Sequence, residues 1–250
     1  MSILKGRIIV NFGDSIFGNT QDETSVSAAI MDQTQATVYN LGFGGCRMGT
    51  HGPEWDAFCM YALADAIVAQ DFAKQDQALV IGDGIIPAYF ARTVSIMKTV
   101  DFQSVDMVTI AYGTNDYTAG VSLDNELDVF DVNTFMGALR YSLRRLMAAF
   151  PHLKILVLTP TYRFWTGEAG EFLEDSDTKM FNGLPLTAFV TAVKTVCCEF
   201  KTPYLDNYHD LGINRYNRAR YFRENDGTHL NAAGNRKLGE KIASQLMCRF

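Results

Sequence analysis

Five short apolar runs alternate with stretches of helical periodicity, and this alternation constrains the chain more than any other feature. Residues 8–12, 37–41, 107–112 and 155–158, and a shorter run at 204–205, are apolar and end in turn-forming residues. Runs of that kind are strands buried on both faces. Helical spacing predicts helices over 24–31, 55–70, 88–97, 132–150 and 186–200. The fourth has the stripe Phe135, Leu139, Leu143 and Leu146, with Pro151 just beyond its end. Asn231 suits an N-cap for a last helix that buries Leu238, Ile242, Leu246 and Phe250. Short parallel strands separated by helices imply an α/β fold with helices on both faces of the sheet. Functional groups in such a fold collect beyond the carboxyl ends of the strands.

The 250 residues contain no repeat, low-complexity stretch or linker, so one domain over residues 1–250 is expected. Two stretches lengthen connections that could be short. One is 70–105; the other, 163–186, is polar and acid-rich and suits a lid, a substrate loop or a contact surface. The net charge is −6, and Lys194, Lys201, Arg236 and Lys237 are scattered. No basic run stands out, so a nucleic-acid partner is not expected. No stretch approaches the length of a membrane span, and Lys5 and Arg7 interrupt the only early apolar segment. The five cysteines are odd in number, two are adjacent, and none form a C-x-x-C pair. Reduced thiols and a cytoplasmic setting are therefore expected, without a disulfide framework or zinc site.

Four polar groups fall at strand ends. They are Gly13-Asp14-Ser15, the glycine-rich 42–45 turn, Gly113-Thr114-Asn115-Asp116 and Asp226-Gly227-Thr228-His229. Each alone is more often a turn. Together their chemistry is complementary. Ser15 is the candidate nucleophile and His229 the base that activates it. Asp226, three residues before His229, can fix the imidazole tautomer. The amides of Ser15 and Gly45 and the Asn115 side chain are candidate oxyanion donors. His51 is the rival base, and Cys46 a possible thiol nucleophile without a paired base. The G-x-S-x-G elbow is absent, because Phe17 stands where its second glycine would be.

These four blocks, in this order, resemble the SGNH hydrolase superfamily, also called GDSL esterases. Ile16 replaces the usual leucine of the first block. The resemblance covers residues 8 to 246 except the two long stretches. It implies a three-layer α/β/α sandwich with a parallel sheet of about five strands, flavodoxin-like, and no metal or organic cofactor. It also implies Ser15, Gly45, Asn115 and His229 as catalytic groups, with Asp226 completing the triad. Asp14, Tyr112, Tyr162, Arg163 and Trp165 are the candidate substrate contacts. Aromatic faces with polar neighbours suit a sugar, and an acidic 163–186 stretch does not suit a lipase lid. The expected activity is hydrolysis of a carboxylic ester through an acyl-enzyme, with a small acyl group such as acetyl on a carbohydrate. Alternatives are a lipid or thioester acylhydrolase and an acyltransferase using the same triad. A silent binding protein would be expected to lack one of the four groups.

Overall fold

The computed structural model describes residues 4–250. In chain order its elements begin with β1 (Ile8–Gly13), α1 (Ser15–Gly18), α2 (Val26–Thr34), β2 (Thr37–Gly42), α3 (Met60–Ala69), α4 (Ala73–Ile81) and α5 (Tyr89–Thr99). Next come β3 (Met107–Ala111), α6 (Thr114–Thr118), α7 (Phe135–Ala149), β4 (Lys154–Leu158), β5 (Phe164–Thr166) and β6 (Phe172–Asp175). The chain continues through β7 (Met180–Phe181), β8 (Leu184–Pro185), α8 (Leu186–Glu199), β9 (Tyr204–Leu205), α9 (Asn207–Asp210), α10 (Arg218–Tyr221) and α11 (Ala232–Arg249).

The main sheet has the order β2-β1-β3-β4-β9, and every pairing in it is parallel. From β1 the chain first moves outward to β2, then returns past β1 to build β3, β4 and β9. Right-handed crossovers therefore place α2 on one face and α7 and α8 on the other. Packing agrees: α2 lies on α11, whereas α7 contacts α3 and α8. This is the flavodoxin-like order, whose switch point lies between β1 and β3. The loops after those two strands carry Ser15 and Asn115.

Ile9, Val10 and Phe12 of β1 are fully buried, as are Val108 and Ile110 of β3. Asn11 is also buried, but it donates to Ser27 Oγ (2.9 Å) and accepts from Thr109 Oγ1 (2.7 Å), so its polarity is satisfied within the core. Side-chain caps start the helices: Ser25 for α2, Thr134 for α7 and Asn231 for α11.

One helical expectation differs from what is observed, and the two long stretches hold further elements of their own. The helix expected over 55–70 begins only at Met60. The Met60 and Tyr61 amides donate to the Arg47 and Met48 carbonyls, and Cys59 is extended, so a tertiary contact stops the helix there. The first long stretch contains α4 as well as the expected α5. The second is two small antiparallel hairpins, β5–β6 and β7–β8.

Candidate active site

β1 delivers its chain to α1 through a tight turn. Asp14 caps α1, its carboxylate accepting the Ile16 amide at 3.0 Å, and Ser15 is the first helical residue. A Cβ on Gly13 would stand 2.8 Å from the Phe17 ring and 3.2 Å from the Ala111 carbonyl, so only glycine lets the turn close against β3. Asp14 is 3% exposed, and burial raises its carboxyl pKa to about 6 against hydrogen bonding and the nearby His229 and Arg163 charges.

The Asp226–His229 loop precedes α11. Asp226 Oδ1 accepts the Thr228 and His229 amides at 2.8 and 2.9 Å, and Oδ2 lies 2.7 Å from His229 Nδ1. Burial alone would raise the Asp226 pKa; the bonds from the His229 ring and the two amides outweigh it and lower the pKa to about 2. An ionised carboxylate only accepts, so Nδ1 carries the proton and Nε2 of the neutral ring is the acceptor. Nε2 lies 2.9 Å from Ser15 Oγ, across 214 residues of sequence. The hydroxyl, imidazole and carboxylate thus form one chain, along which a proton can leave the serine.

Donors surround the same hydroxyl-bearing loop. Gly45 has φ +82°, and a Cβ there would stand 3.0 Å from the Trp55 ring. Among the described residues, neither the Ser15 nor the Gly45 amide donates to another backbone carbonyl. Asn115 Nδ2 donates one hydrogen to the Cys46 carbonyl at 2.9 Å, which ties α6 to the Gly45 loop and leaves its second N–H free. Asp116 strengthens this tie. Its carboxylate accepts the Met48 amide (3.1 Å to Oδ2) and the Gly49 amide, while burial raises its pKa to about 7.

Arg163 joins the two catalytic loops. Its Nη1 donates to Thr114 Oγ1 and Thr118 Oγ1, both at 3.0 Å, and its Nη2 to Thr228 Oγ1 at 2.8 Å. The guanidinium stacks 4.8 Å from the Trp165 ring centre and has no carboxylate partner among the described residues. The residue is 8% exposed. Three of its N–H donors are thus engaged inside the protein, while Nε is buried without a hydrogen-bond partner among the described residues. Tyr112 and Tyr162 are buried; Tyr162 donates to Asp175 Oδ2 at 2.9 Å, whereas the Tyr112 hydroxyl has no hydrogen-bond partner among the described residues. Asp14 is also enclosed. Trp165 alone of the five is partly exposed.

Among the described residues, neither rival group is hydrogen-bonded to Ser15 Oγ. His51 leans on Trp55 (5.7 Å between ring centres), and its Nδ1 takes the Gly52 amide. Cys46 is fully buried, and burial, then the neighbouring Cys59 thiol, pushes its pKa well up. The periodicity of the sequence did not reveal Tyr89, whose hydroxyl takes the Gly44 amide at 2.7 Å and donates to Asn19 Oδ1 at 3.1 Å. It stands at the start of α5, in the long 70–105 stretch, and no strand-end motif marks it.

A parallel sheet of this order, covered by helices and carrying this hydroxyl–imidazole–carboxylate chain at its carboxyl edge, defines an α/β/α ester hydrolase of the SGNH kind. The chain belongs to the GDSL-like lipase/acylhydrolase family, whose model matches residues 11–237. Comparison with curated protein sequences gave no match. Among solved structures, a protein from Lactobacillus plantarum is 21% identical, with a TM-score of 0.69 over 98% of this chain and 99% of that one. A carbohydrate acetylesterase from Sinorhizobium meliloti is 15% identical, with a TM-score of 0.61 over 98% of this chain and 100% of that one. An aryl esterase from M. smegmatis has the same identity, TM-score and coverage. Among the described residues, no helix is long and apolar enough to cross a membrane.

Proposed function

We propose that the protein is a serine esterase that removes a small acyl group, such as acetyl, from a carbohydrate. The observation that carries this is the 2.9 Å contact between Ser15 Oγ and His229 Nε2, with Asp226 behind the ring. Ser15 Oγ attacks the acyl carbonyl as its proton passes to Nε2. Asp226 stabilises the imidazolium through Nδ1. The Ser15 and Gly45 amides and the second Asn115 N–H receive the oxyanion. Collapse expels the alcohol, which takes the proton from Nε2. Water then gives a proton to Nε2 and attacks the acyl-enzyme, releasing the acid and restoring Ser15.

Two features support the substrate class. Trp55 against Gly45 and Trp165 over Arg163 are both partly exposed and offer ring faces to a sugar. Similarity to a carbohydrate acetylesterase supports the same reading. The test is initial rates on p-nitrophenyl acetate, butyrate and octanoate, for wild type beside Ser15→Ala. Turnover should depend on Ser15 and fall with acyl length, and acetylated sugars should then be hydrolysed. Turnover that rises with acyl length would overturn the small-acyl reading.

A further inference from the structure

A larger cavity, of about 490 Å³, borders the catalytic loop; Phe164 and Phe222, Arg218 and Arg223, and Glu224 and Asn225 are among its lining residues. Asn225 immediately precedes Asp226. Arg223 connects the cavity to both halves of the catalytic pair. Its amide donates to the His229 carbonyl at 3.0 Å, and its Nη2 donates to Thr20 Oγ1 at 2.8 Å, two residues past the end of α1. Nε is anchored on the Leu230 carbonyl at 3.3 Å. The exposed guanidinium of Arg223 thus spans from the histidine loop to the serine segment.

The charge here runs against the rest of the molecule. The chain carries −6, yet Arg215, Arg218, Arg220 and Arg223 fall within nine residues. They are spaced too widely to read as a basic run, and two of them, Arg218 and Arg223, line the cavity. Every ion pair among the described residues involves other cations, so none of the four is neutralised. Arg218 is held over the Phe164 and Phe172 rings, 5.3 and 4.9 Å from their centres, and donates to the Arg215 carbonyl. Arg218 is therefore oriented in advance by an aromatic wall and Arg223 by its hydrogen bonds, with Glu224 as the only acid among the lining residues. Fixed, unpaired guanidinium groups bind carboxylate and phosphate oxygens strongly, because little freedom is lost on binding.

We infer that this cavity is an anion subsite for the alcohol part of the substrate, so that the ester cleaved is carried on an acidic sugar bearing a carboxylate or phosphate. This rests on the carbohydrate-ester reading above. Arg218 and Arg223 hold the oxyanion group of the sugar, and the aromatic wall takes its ring, while the acyl ester reaches Ser15 past Thr20.

Calorimetric titration of the full-length protein tests this without turnover. The ligands are methyl glucuronide, glucose 6-phosphate and methyl glucoside. An anionic ligand should bind about tenfold more tightly than methyl glucoside at low salt, the factor one charge-assisted contact supplies. The preference should shrink at high salt. It should vanish in Arg218→Gln/Arg223→Gln and persist in Arg220→Gln, which removes a charge outside the cavity. Melting curves establish that the variants are folded, and the single variants Arg218→Gln and Arg223→Gln each test the assignment should the double variant fail to fold. The tighter of the two anionic ligands identifies the group as carboxylate or phosphate. Equal affinity for all three sugars would overturn the inference, as would a preference that survives loss of both arginines. Failure of the underlying reading looks different: anionic sugars bind, their acetylated forms are not hydrolysed, and p-nitrophenyl ester turnover rises with acyl length.

Discussion

Asn115→Ala separates two jobs that one side chain performs in the proposed mechanism. One Nδ2 hydrogen holds the Cys46 carbonyl at 2.9 Å, and the other is free for the oxyanion. Loss of the free donor should cost about 10²–10³ in kcat, or about 2.7–4 kcal/mol of transition-state stabilisation. Loss of the tethered hydrogen leaves the carbonyl of a buried residue without its donor, which costs about 1–3 kcal/mol of stability. For a chain of this size each kcal/mol lowers Tm by about 2–4 °C. The assay is kcat and KM on p-nitrophenyl acetate beside a melting curve of the same sample. Well below its Tm the variant should be folded, slow, and little changed in KM, because the donor acts on charge that appears only in the transition state. Asn115→Asp should be as slow or slower, since it keeps the shape but presents no donor. A variant that keeps turnover within a few-fold of wild type would refute the oxyanion role, whatever its Tm.

Arg163→Met should lower kcat by about tenfold or more, because the Thr114 and Thr228 loops lose their common donor and a misplaced group costs rate steeply. Its stability should change far less than a lost salt bridge would suggest, since the buried guanidinium has no carboxylate to leave behind; kinetics and urea melts on one preparation check both, and an unchanged kcat would count against the clamp. Asp14 gives a pH signature. Its pKa is raised by burial from 3.8 to about 6, so the folded state holds the proton more tightly. Its contribution to stability is therefore full below the lower value and declines as pH rises through the upper one. Asp14→Asn should flatten stability against pH over that window and gain relative to wild type above it; parallel slopes in urea melts at a series of pH values would show that the carboxyl is not perturbed.

Local periodicity made the architecture legible. Apolar runs buried on both faces have to pair in parallel, and the helices between them have to cover the sheet. Polar residues at the strand ends were legible for the same reason, because that topology leaves them one edge to occupy. The pairing of Asp226 with His229 was also readable, since three residues of separation bring a carboxylate to its own loop's imidazole. Distant contacts were not. The late start of the helix expected from residue 55 comes from amides claimed by the Arg47 and Met48 carbonyls, and nothing in its own periodicity announces that. Tyr112, Tyr162 and Arg163 read as rim residues by position, but their environment is made by the hairpins and by α6, α9 and α10 packing around them.

By itself, then, the sequence determined the sheet, the identity of the reactive side chains and the Asp226–His229 unit, because all three depend on short-range spacing. Tertiary structure alone decided that Ser15 meets His229 across 214 residues, that Arg163 turns inward to two catalytic loops, and that Arg218 and Arg223 line one cavity beside the Asp226–His229 loop. Those outcomes depend on which surfaces bury each other, and burial is a property of the packed chain rather than of any window along it.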